Sequence, residues 1–396
     1  MTCTLLGGLP LWLVASLAPQ LRGDLGMDET GLGTAVGVSF LVSAVTAVPA
    51  GRLVDRIGWR RGAAAAAALS ASVLLAIGVL TRSWALLVVL LAVGALGVSL
   101  SHPAANTGIS DVVPLRRQGL AFGIKQASVP LTTLVAGLSA PLVMHTVGWR
   151  AAFVDAAGIA LGFLLVLLLT GRRPDPGPED RPAPSAGTAA QDLAPALGSD
   201  RLGRWPLTVL ASGAGLVAGA TVSLGGFLVL FAVASGMEQD GAGYLLAAGS
   251  IASIASRVLS GYLADRHGWD HLTAVAVMMA GGSVGFVALA VGGSAVLLVV
   301  GTLLAFALGW SWNGLFALAV VLRSPGAPGS ATGVIQTGIC LGATAGPPLF
   351  GLTVSRLSYS AAWGGAAAAS LCGAALILVG LRMHGRSTPP AERGPR

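Results

Sequence analysis

The chain has 396 residues, of which 54% are hydrophobic and only 10% are charged, and its formal net charge is +7. Soluble domains carry about 25% charged residues, so this composition excludes a water-facing globular enzyme. The basic residues occur in short clusters between apolar segments, which argues against a nucleic-acid partner and is typical of a membrane protein.

Apolar stretches of about 20 residues recur along the whole chain, and each is long enough to cross a hydrocarbon core of roughly 30 Å. Backbone polar groups in lipid must be satisfied within the segment, so we expect helices. Residues 1–21 have no basic leader and no convincing cleavage site, which predicts a retained first span. The sequence predicts twelve spans, numbered in chain order, at about 2–21, 31–52, 63–81, 83–106, 119–143, 151–171, 205–235, 241–264, 272–292, 294–322, 329–354 and 359–381.

The segment between spans six and seven differs in composition from the spans. Residues 172–204 alternate proline with acids, serine, glycine and alanine, so they cannot bury a core and are expected to form a flexible linker. We therefore predict an N-terminal six-helix bundle at 1–171, this linker, a C-terminal six-helix bundle at 205–383 and a tail at 384–396.

Arginine placement predicts the orientation. Successive connections between spans alternate between the two membrane faces, and those on one face hold many more arginines than those on the other. The poorer set holds only Arg22, Arg82, Arg150 and Arg356. By the positive-inside rule the richer set is cytoplasmic, so both termini and the linker are expected inside a multi-pass cytoplasmic-membrane protein. The richer set holds Arg52, Arg56, Arg60, Arg61, Arg116, Arg117, Arg172, Arg173, Arg201, Arg204, Arg266 and Arg323, with Arg382 and Arg386 in the tail.

The two halves of the chain resemble each other at a fixed offset of 210 residues. The segment 51–59, GRLVDRIGW, matches the segment 261–269, GYLADRHGW, at six of nine positions. Gly119, Ala121, Gly123 and Gln126 match Gly329, Ala331, Gly333 and Gln336 at the same offset. A shared offset across distant segments indicates duplication of a six-helix unit, which is a transporter architecture.

The loop after span two resembles the signature loop of the major facilitator superfamily, and its degenerate copy follows span eight, where that family also repeats it. The resemblance covers the whole chain and implies that family's fold of two six-helix bundles and its alternating-access transport. It also implies that the loop latches the two halves on the cytoplasmic side. The motif residues are Gly51, Asp55, Arg56, Gly58 and Arg60, with Gly261, Asp265 and Arg266 in the copy.

The residue chemistry of this loop fits a latch. Gly51 permits close helix approach, and Asp55 is placed to accept hydrogen bonds at the N-terminus of another helix, favoured by the helix dipole. We expect Asp55 near Gly329 and Asp265 near Gly119. The alternative for Arg60 and its neighbours is that they are only turn residues and topology charges.

Lys125 is the most informative of four ionisable residues within the predicted spans. The chain has 22 arginines and a single lysine, which lies about six residues into span five. A lysine ammonium is a compact charge that can release its proton on burial, whereas a guanidinium stays charged. Lys125 is therefore a candidate anion ligand or coupling charge. The alternative is a side chain that extends to the membrane interface.

The other three ionisable residues have weaker assignments. His102, with Asn106 one turn later, lies in span four, which resembles a cavity-lining helix of the superfamily; His102 is a candidate proton carrier or a buried histidine bonded to a carbonyl. Arg257 in span eight is expected to join the latch, reach headgroups or contact substrate. Asp155 in span six is expected to pair with Arg150 or to couple protons.

Aromatic and amide residues form a second candidate group, which suits a partly apolar organic solute, although aromatics in a membrane core are often packing residues. Its members are Gln126, Trp312, Asn313 and Gln336, with Trp310 and Phe316 also in span ten and Trp12 in the middle of span one. Gly338, Gly342, Gly346 and Pro347 follow a four-residue spacing in span eleven, which favours close helix packing. The family places a similar antiporter motif in span five, where this chain has Ala136, Ala140 and Pro141 instead.

These features favour a secondary transporter of a small organic solute, an anion with proton coupling. A drug or metabolite efflux antiporter is the first alternative, and a non-transporting membrane sensor with the same fold is a distant one. No Gly-x4-Gly-Lys-Ser/Thr loop is present, which excludes ATP-driven transport by this chain alone. The cysteines lack metal-ligand spacing. We expect no cofactor, no metal, no enzymatic activity and a monomer in the lipid bilayer.

Overall fold

The structure is a computed structural model and describes residues 1–113, 125–144, 148–170, 203–267, 270–324 and 328–387. The described chain is all α-helical in its regular structure. Within the described residues, ten helices are long and apolar enough to cross a membrane, and a bent pair at the N-terminus makes an eleventh span if its two helices count as one. The described part of span five begins at Lys125 and continues as the apolar helix Ser128–Met144.

The helices follow the predicted spans in order. In the N-terminal half they are Thr2–Ser16 with Ala18–Leu25, Glu29–Ile57, Trp59–Leu80, Trp84–Val112, Ser128–Met144 and Trp149–Leu169. In the C-terminal half they are Arg204–Ala234, Gln239–His267, His271–Val291, Ala295–Leu304 continued by Asn313–Leu322, Pro328–Arg356 and Tyr359–Ser387. The last helix continues four residues into the predicted tail, and the rest of the tail and residues 172–202 of the predicted linker lie outside the described residues.

Span one is broken rather than continuous. Its two helices meet at Leu17 with a bend of 68°, and Pro19 stands at the start of the second helix. Proline lacks an amide N–H and disfavours helical geometry in the residue before it, which accounts for the break. The short second helix turns Leu21 and Leu25 into the protein core.

Span ten is also interrupted, at its centre. A π-helical segment, Ala305–Gly309, separates its two α-helices. The Ser311 hydroxyl donates to the Phe306 carbonyl at 3.1 Å, and Arg257 donates to the Trp310 carbonyl at 2.8 Å. Side chains therefore satisfy carbonyls that the irregular turn removes from the helical ladder, as a membrane interior requires.

Span eleven packs backbone to backbone on span seven. Cβ atoms at Gly338, Gly342 and Gly346 would collide with the backbone of Ala211, Gly215 and Gly219. The four-residue glycine spacing therefore produces the close helix packing that it predicts.

The two halves meet through spans two and eleven and through spans five and eight. We call the membrane face that carries Arg56 the basic face and the other the opposite face. The 29-residue helix Glu29–Ile57 runs from the opposite face, at Glu29, to the basic face, at Ile57. Near the opposite face, a Cβ on Gly37 would lie 2.5 Å from the Pro348 ring, and Thr30 and Ser355 share a hydrogen bond of 3.1 Å. The halves are thus closed together near the opposite face.

Candidate functional site

Lys125 and His102 form the centre of the candidate site. Lys125 lies in the helical turn that precedes Ser128–Met144, and only 6% of its surface is exposed. Its Nζ is 3.1 Å from Nδ1 of His102 on span four and 3.4 Å from Oε1 of Gln126. The Ser128 hydroxyl donates to the Lys125 carbonyl at 2.6 Å, which holds the turn in place. The ammonium therefore points into the protein and not towards lipid.

No described carboxylate lies within ion-pair distance of Lys125, since the ion pairs among described residues join Arg22 to Glu29, Arg150 to Asp24 and Arg323 to Asp270. A buried cation without a counter-charge is costly in a membrane interior. The Lys125–His102 pair is consequently suited to bind an anion or to exchange a proton.

His102 also lines a cavity of about 120 Å³ inside the N-terminal half. Hydroxyls face it from three spans, and its remaining surface is apolar. The lining also includes Thr4, Trp12, Ser39, Phe40, Ser43 and Thr132. Such a lining suits a small solute with an apolar body and one or two polar groups.

Trp12 joins this cavity to the C-terminal half. Its ring centroid is 5.4 Å from that of Trp310 on span ten, and Trp310 also packs against Phe306 at 5.0 Å. Gly225 of span seven leaves room for both indoles, because a Cβ there would lie 2.5 Å from the Trp12 ring. The two tryptophans therefore form a contact between the halves beside the cavity.

Arg257 lies apart from the Lys125–His102 pair, on span eight. Its Nη2 donates to the Trp310 carbonyl at 2.8 Å, and its Nε is buried without a hydrogen-bond partner among the described residues. Next to it, Ser253 and Ser311 share a hydrogen bond of 3.1 Å that ties span eight to span ten.

The remaining candidates are dispersed. Asn106 and Gln126 are exposed, as is Gln336, whose amide donates to Cys340 Sγ at 3.5 Å. Trp312 is fully buried in the C-terminal core, with its ring 5.5 Å from Phe316. Asn313 is partly buried and its Oδ1 has no described partner.

Asp155 is exposed on the outside of span six. Arg150 does not pair with it: its guanidinium lies 3.4 Å from Asp24 and donates to the Thr81 carbonyl at 3.0 Å. The indole of Trp149 donates to the same Asp24 carboxylate at 2.7 Å. Arg150 is therefore bound by Asp24 of the second, short helix of span one, Ala18–Leu25.

The loop after span two is compact. Gly58 alone links spans two and three, with a φ of 84° that side-chain-bearing residues rarely adopt. Asp55 and Arg56 are exposed at the end of span two. Arg60 donates to the Thr170 hydroxyl at 3.2 Å, which ties span three to span six.

Several predicted features of the loops lie outside the described residues. A Cβ on Gly51 meets no described atom within 4 Å, so the close approach expected there does not involve the described part of the chain. Gly119, the surroundings of Gly329 and the side chains of Asp265 and Arg266 also lie outside it.

Comparison with known proteins shows the family of this chain. The sequence profile of the Major Facilitator Superfamily matches residues 1–337 and 236–396, which together cover the chain. The chain belongs to the major facilitator superfamily. Its relatives within the superfamily include an uncharacterized MFS-type transporter of Mycobacterium tuberculosis, 28% identical over 381 residues, which cover 93% of this chain and 81% of the relative.

Two further relatives carry more specific names. An MFS-type efflux pump of Mycolicibacterium smegmatis is 27% identical over 268 residues, 64% of this chain but only 58% of the relative's length. The multidrug resistance protein MdtG of Proteus mirabilis is 29% identical over 168 residues, 41% of each chain.

Solved structures agree in fold. Crystal structures of a bacterial homologue of the human lysosomal transporter Spinster match 98% of this chain and 97% of theirs. The TM-score is 0.66 for the inward-facing occupied conformation and 0.70 for the unoccupied one, at 15% and 16% identity. The likeness to these structures shows the all-α fold. The family match shows that the chain is a multi-pass membrane transporter of this superfamily and not an enzyme.

Sequence reasoning missed the contacts that join the halves of this superfamily member. Thr133 of span five and Ser250 of span eight share a buried hydrogen bond of 2.7 Å. A serine or threonine in an apolar helix gives no sign of its partner, because it can equally bond its own helix. The Gly33 and Gly37 spacing in span two was an available signal for the contact with span eleven.

Proposed function

We propose that this protein is a proton-coupled secondary transporter that moves a small organic anion across the cytoplasmic membrane by alternating access. The observation that carries the proposal is the buried Lys125 ammonium, 3.1 Å from His102 and without a described carboxylate partner. An anion that enters the site would supply the missing counter-charge, which makes binding favourable where an uncharged solute gains nothing from it.

The same pair provides a reason for proton coupling. When Lys125 is protonated and donates to Nδ1, His102 must be neutral with its proton on Nε2. A second proton would create two adjacent cations, which is unfavourable without a nearby anion. Anion and proton are thus expected to bind together, and each would leave when the other leaves.

The contacts between the halves support a state of the alternating-access cycle in which the site is accessible from the basic face. Among the described residues, the hydrogen bonds between the halves include Thr30–Ser355 and Thr133–Ser250. Gln126 lies closer to the basic face than Thr133 on the same span and is exposed. We take the basic face as cytoplasmic by the positive-inside rule, so the site would be open to the cytoplasm. We also propose that the transporter acts as a monomer.

Efflux of a drug or metabolite in exchange for protons is a second candidate. The names of two relatives, an efflux pump and a multidrug resistance protein, favour it. The aromatic and aliphatic lining of the cavity beside His102 would also suit an apolar compound. In that case Lys125 would act only in coupling and would not touch the solute.

Proton flux in proteoliposomes loaded with pyranine distinguishes the two candidates. A panel of carboxylates and sulphonates is added outside, and ethidium serves as the cationic drug; protein-free liposomes report passive entry of weak acids. We expect at least one anion to change the internal pH with wild-type protein and not with Lys125→Ala. Proton flux driven by ethidium alone would instead support efflux and contradict the anion proposal.

A further inference from the structure

Spans five and eight run antiparallel where the two halves meet, and their contacts define the register of the pair. The hydroxyls of Thr133 and Ser250 are 2.7 Å apart. Closer to the opposite face, a Cβ on Gly137 would lie 2.8 Å from the carbonyl oxygen of Gly243 and 3.0 Å from the amide of Ala247. Movement towards the basic face lowers the residue number on span five and raises it on span eight.

Seven residues from this hydrogen bond towards the basic face, the paired positions are Gln126 and Arg257. Seven residues are nearly two helical turns, so on a continuous helix these side chains would keep the directions of Thr133 and Ser250. Gln126 lies in the helical turn just before the helix that begins at Ser128. Both lie about 10 Å from the Thr133–Ser250 bond along their helices. Gln126 accepts a hydrogen bond from the Lys125 ammonium at 3.4 Å. It is therefore the exposed member of the group that Lys125 and His102 form.

Arg257 is therefore a second cation at the same depth, contributed by the other half. Its Nη2 is bound to the Trp310 carbonyl. Its Nε is buried and has no hydrogen-bond partner among the described residues, and no described carboxylate lies within ion-pair distance of the guanidinium. A hydrogen bond to one neutral carbonyl satisfies one of its five donors and none of its charge.

We propose that Lys125 with Gln126 on one side and Arg257 on the other form a single anion site divided between the halves, which takes a solute with two anionic groups. This inference rests on the proposed function. Closure at the basic face would bring the two cations towards each other, which is unfavourable while the site is empty. A dianion between them removes the repulsion, so that the loaded transporter closes and the empty one does not.

The competing role for Arg257 is structural, as the donor that satisfies the Trp310 carbonyl at the break in span ten. The two roles differ in their dependence on ligand charge. A structural role affects every ligand equally because it acts through the shape of span ten. A direct role affects only the second anionic group of the ligand, because the first is held by Lys125.

Calorimetric titration of the purified full-length protein with three matched probes tests the proposal: benzamide, benzoate and isophthalate, which carry no, one and two charges. For the wild type we expect isophthalate to bind at least tenfold more tightly than benzoate, and benzamide to bind weakest. In Arg257→Gln, which keeps an amide donor for the carbonyl, isophthalate should fall to the benzoate affinity while benzoate is unchanged. Arg257→Lys should retain part of the preference for isophthalate.

Each contrary result has a defined meaning. Equal affinities for benzoate and isophthalate in the wild type, or an equal loss of both in Arg257→Gln, would overturn the divided site and leave the role of Lys125 intact. Benzoate binding that is unaffected by Lys125→Gln would overturn the proposed function and the divided site together, whereas binding of neither benzoate nor isophthalate would overturn the divided site. Arg82→Gln, a change at an exposed arginine near the opposite face, is the matched control and should bind all three probes as the wild type does.

Discussion

The indole rings of Trp12 and Trp310 meet between the two halves with their centroids 5.4 Å apart. Trp12 lines the cavity that contains His102, while the carbonyl of Trp310 is held by Arg257. This one contact therefore links the cavity of the N-terminal half to the irregular turn of span ten.

A disulfide between residues 30 and 355 should arrest transport. Thr30 and Ser355 are hydrogen-bonded at 3.1 Å, so Thr30→Cys with Ser355→Cys is expected to cross-link in a background without Cys3, Cys340 and Cys372. Alternating access requires this contact to open, so transport should stop on oxidation and return with a reductant. Full transport by the cross-linked protein would mean that this contact stays closed throughout the cycle.

Gly37→Val should favour opening at the opposite face. A Cβ there would lie 2.5 Å from the Pro348 ring and 2.7 Å from the Thr344 carbonyl. Such overpacking costs about 1–3 kcal/mol, which would destabilise the closed contact between spans two and eleven. The measurement is thiol labelling of Ser355→Cys, which should become faster. Gly158→Val is the control, since a Cβ there meets no described atom within 4 Å; the same labelling rate in both variants would contradict the expectation.

Lys125→Arg and Lys125→Ala should both impair transport. Lys125 Nζ is only 3.1 Å from His102, so the larger guanidinium of Lys125→Arg does not fit in its place, and it does not release its proton. Lys125→Ala removes the charge altogether. Loss of a charge-assisted hydrogen bond, worth roughly 1.5–3 kcal/mol, predicts a decrease of about 10- to 100-fold in anion affinity for Lys125→Ala. Transport equal to the wild type in both variants would show that this lysine has no role in the cycle.

His102→Asn should separate anion binding from proton coupling. Asparagine can still accept a hydrogen bond from Lys125 but cannot take up a proton near neutral pH. We expect anion exchange without a pH gradient to continue, and uptake driven by a pH gradient to be lost. The two assays on the same proteoliposomes provide the comparison, and unchanged gradient-driven uptake would place the coupling proton elsewhere.

Asp55→Asn tests the latch. Asp55 is exposed at the end of span two, and its expected partner near Gly329 lies outside the described residues. If the loop stabilises the state closed at the basic face, the variant should transport more slowly at wild-type expression, with its equilibrium shifted towards the state open at that face. Wild-type rates would indicate that the loop acts only as a topology signal.

Much of the fold could be predicted because membranes impose strong rules on sequence. The order of the spans, the duplicated loop and the single lysine are all visible in the chain, since each reflects a local requirement: length, backbone satisfaction or charge. The loop glycine Gly58, with its φ of 84°, is of this kind. So is the glycine spacing of span eleven, because only small residues allow two helices to approach so closely.

The tertiary structure alone decided which residues face each other. Three hydrogen bonds join residues that are distant in sequence. They link Lys125 to His102, Thr133 to Ser250 and Arg257 to the Trp310 carbonyl. Asp155 and Arg150, five residues apart and expected to pair, do not, because Asp24 at the broken end of span one binds the arginine instead. In lipid most helix faces are apolar, so hydrophobic patterning cannot specify partners; packing of small residues and a few buried hydrogen bonds does.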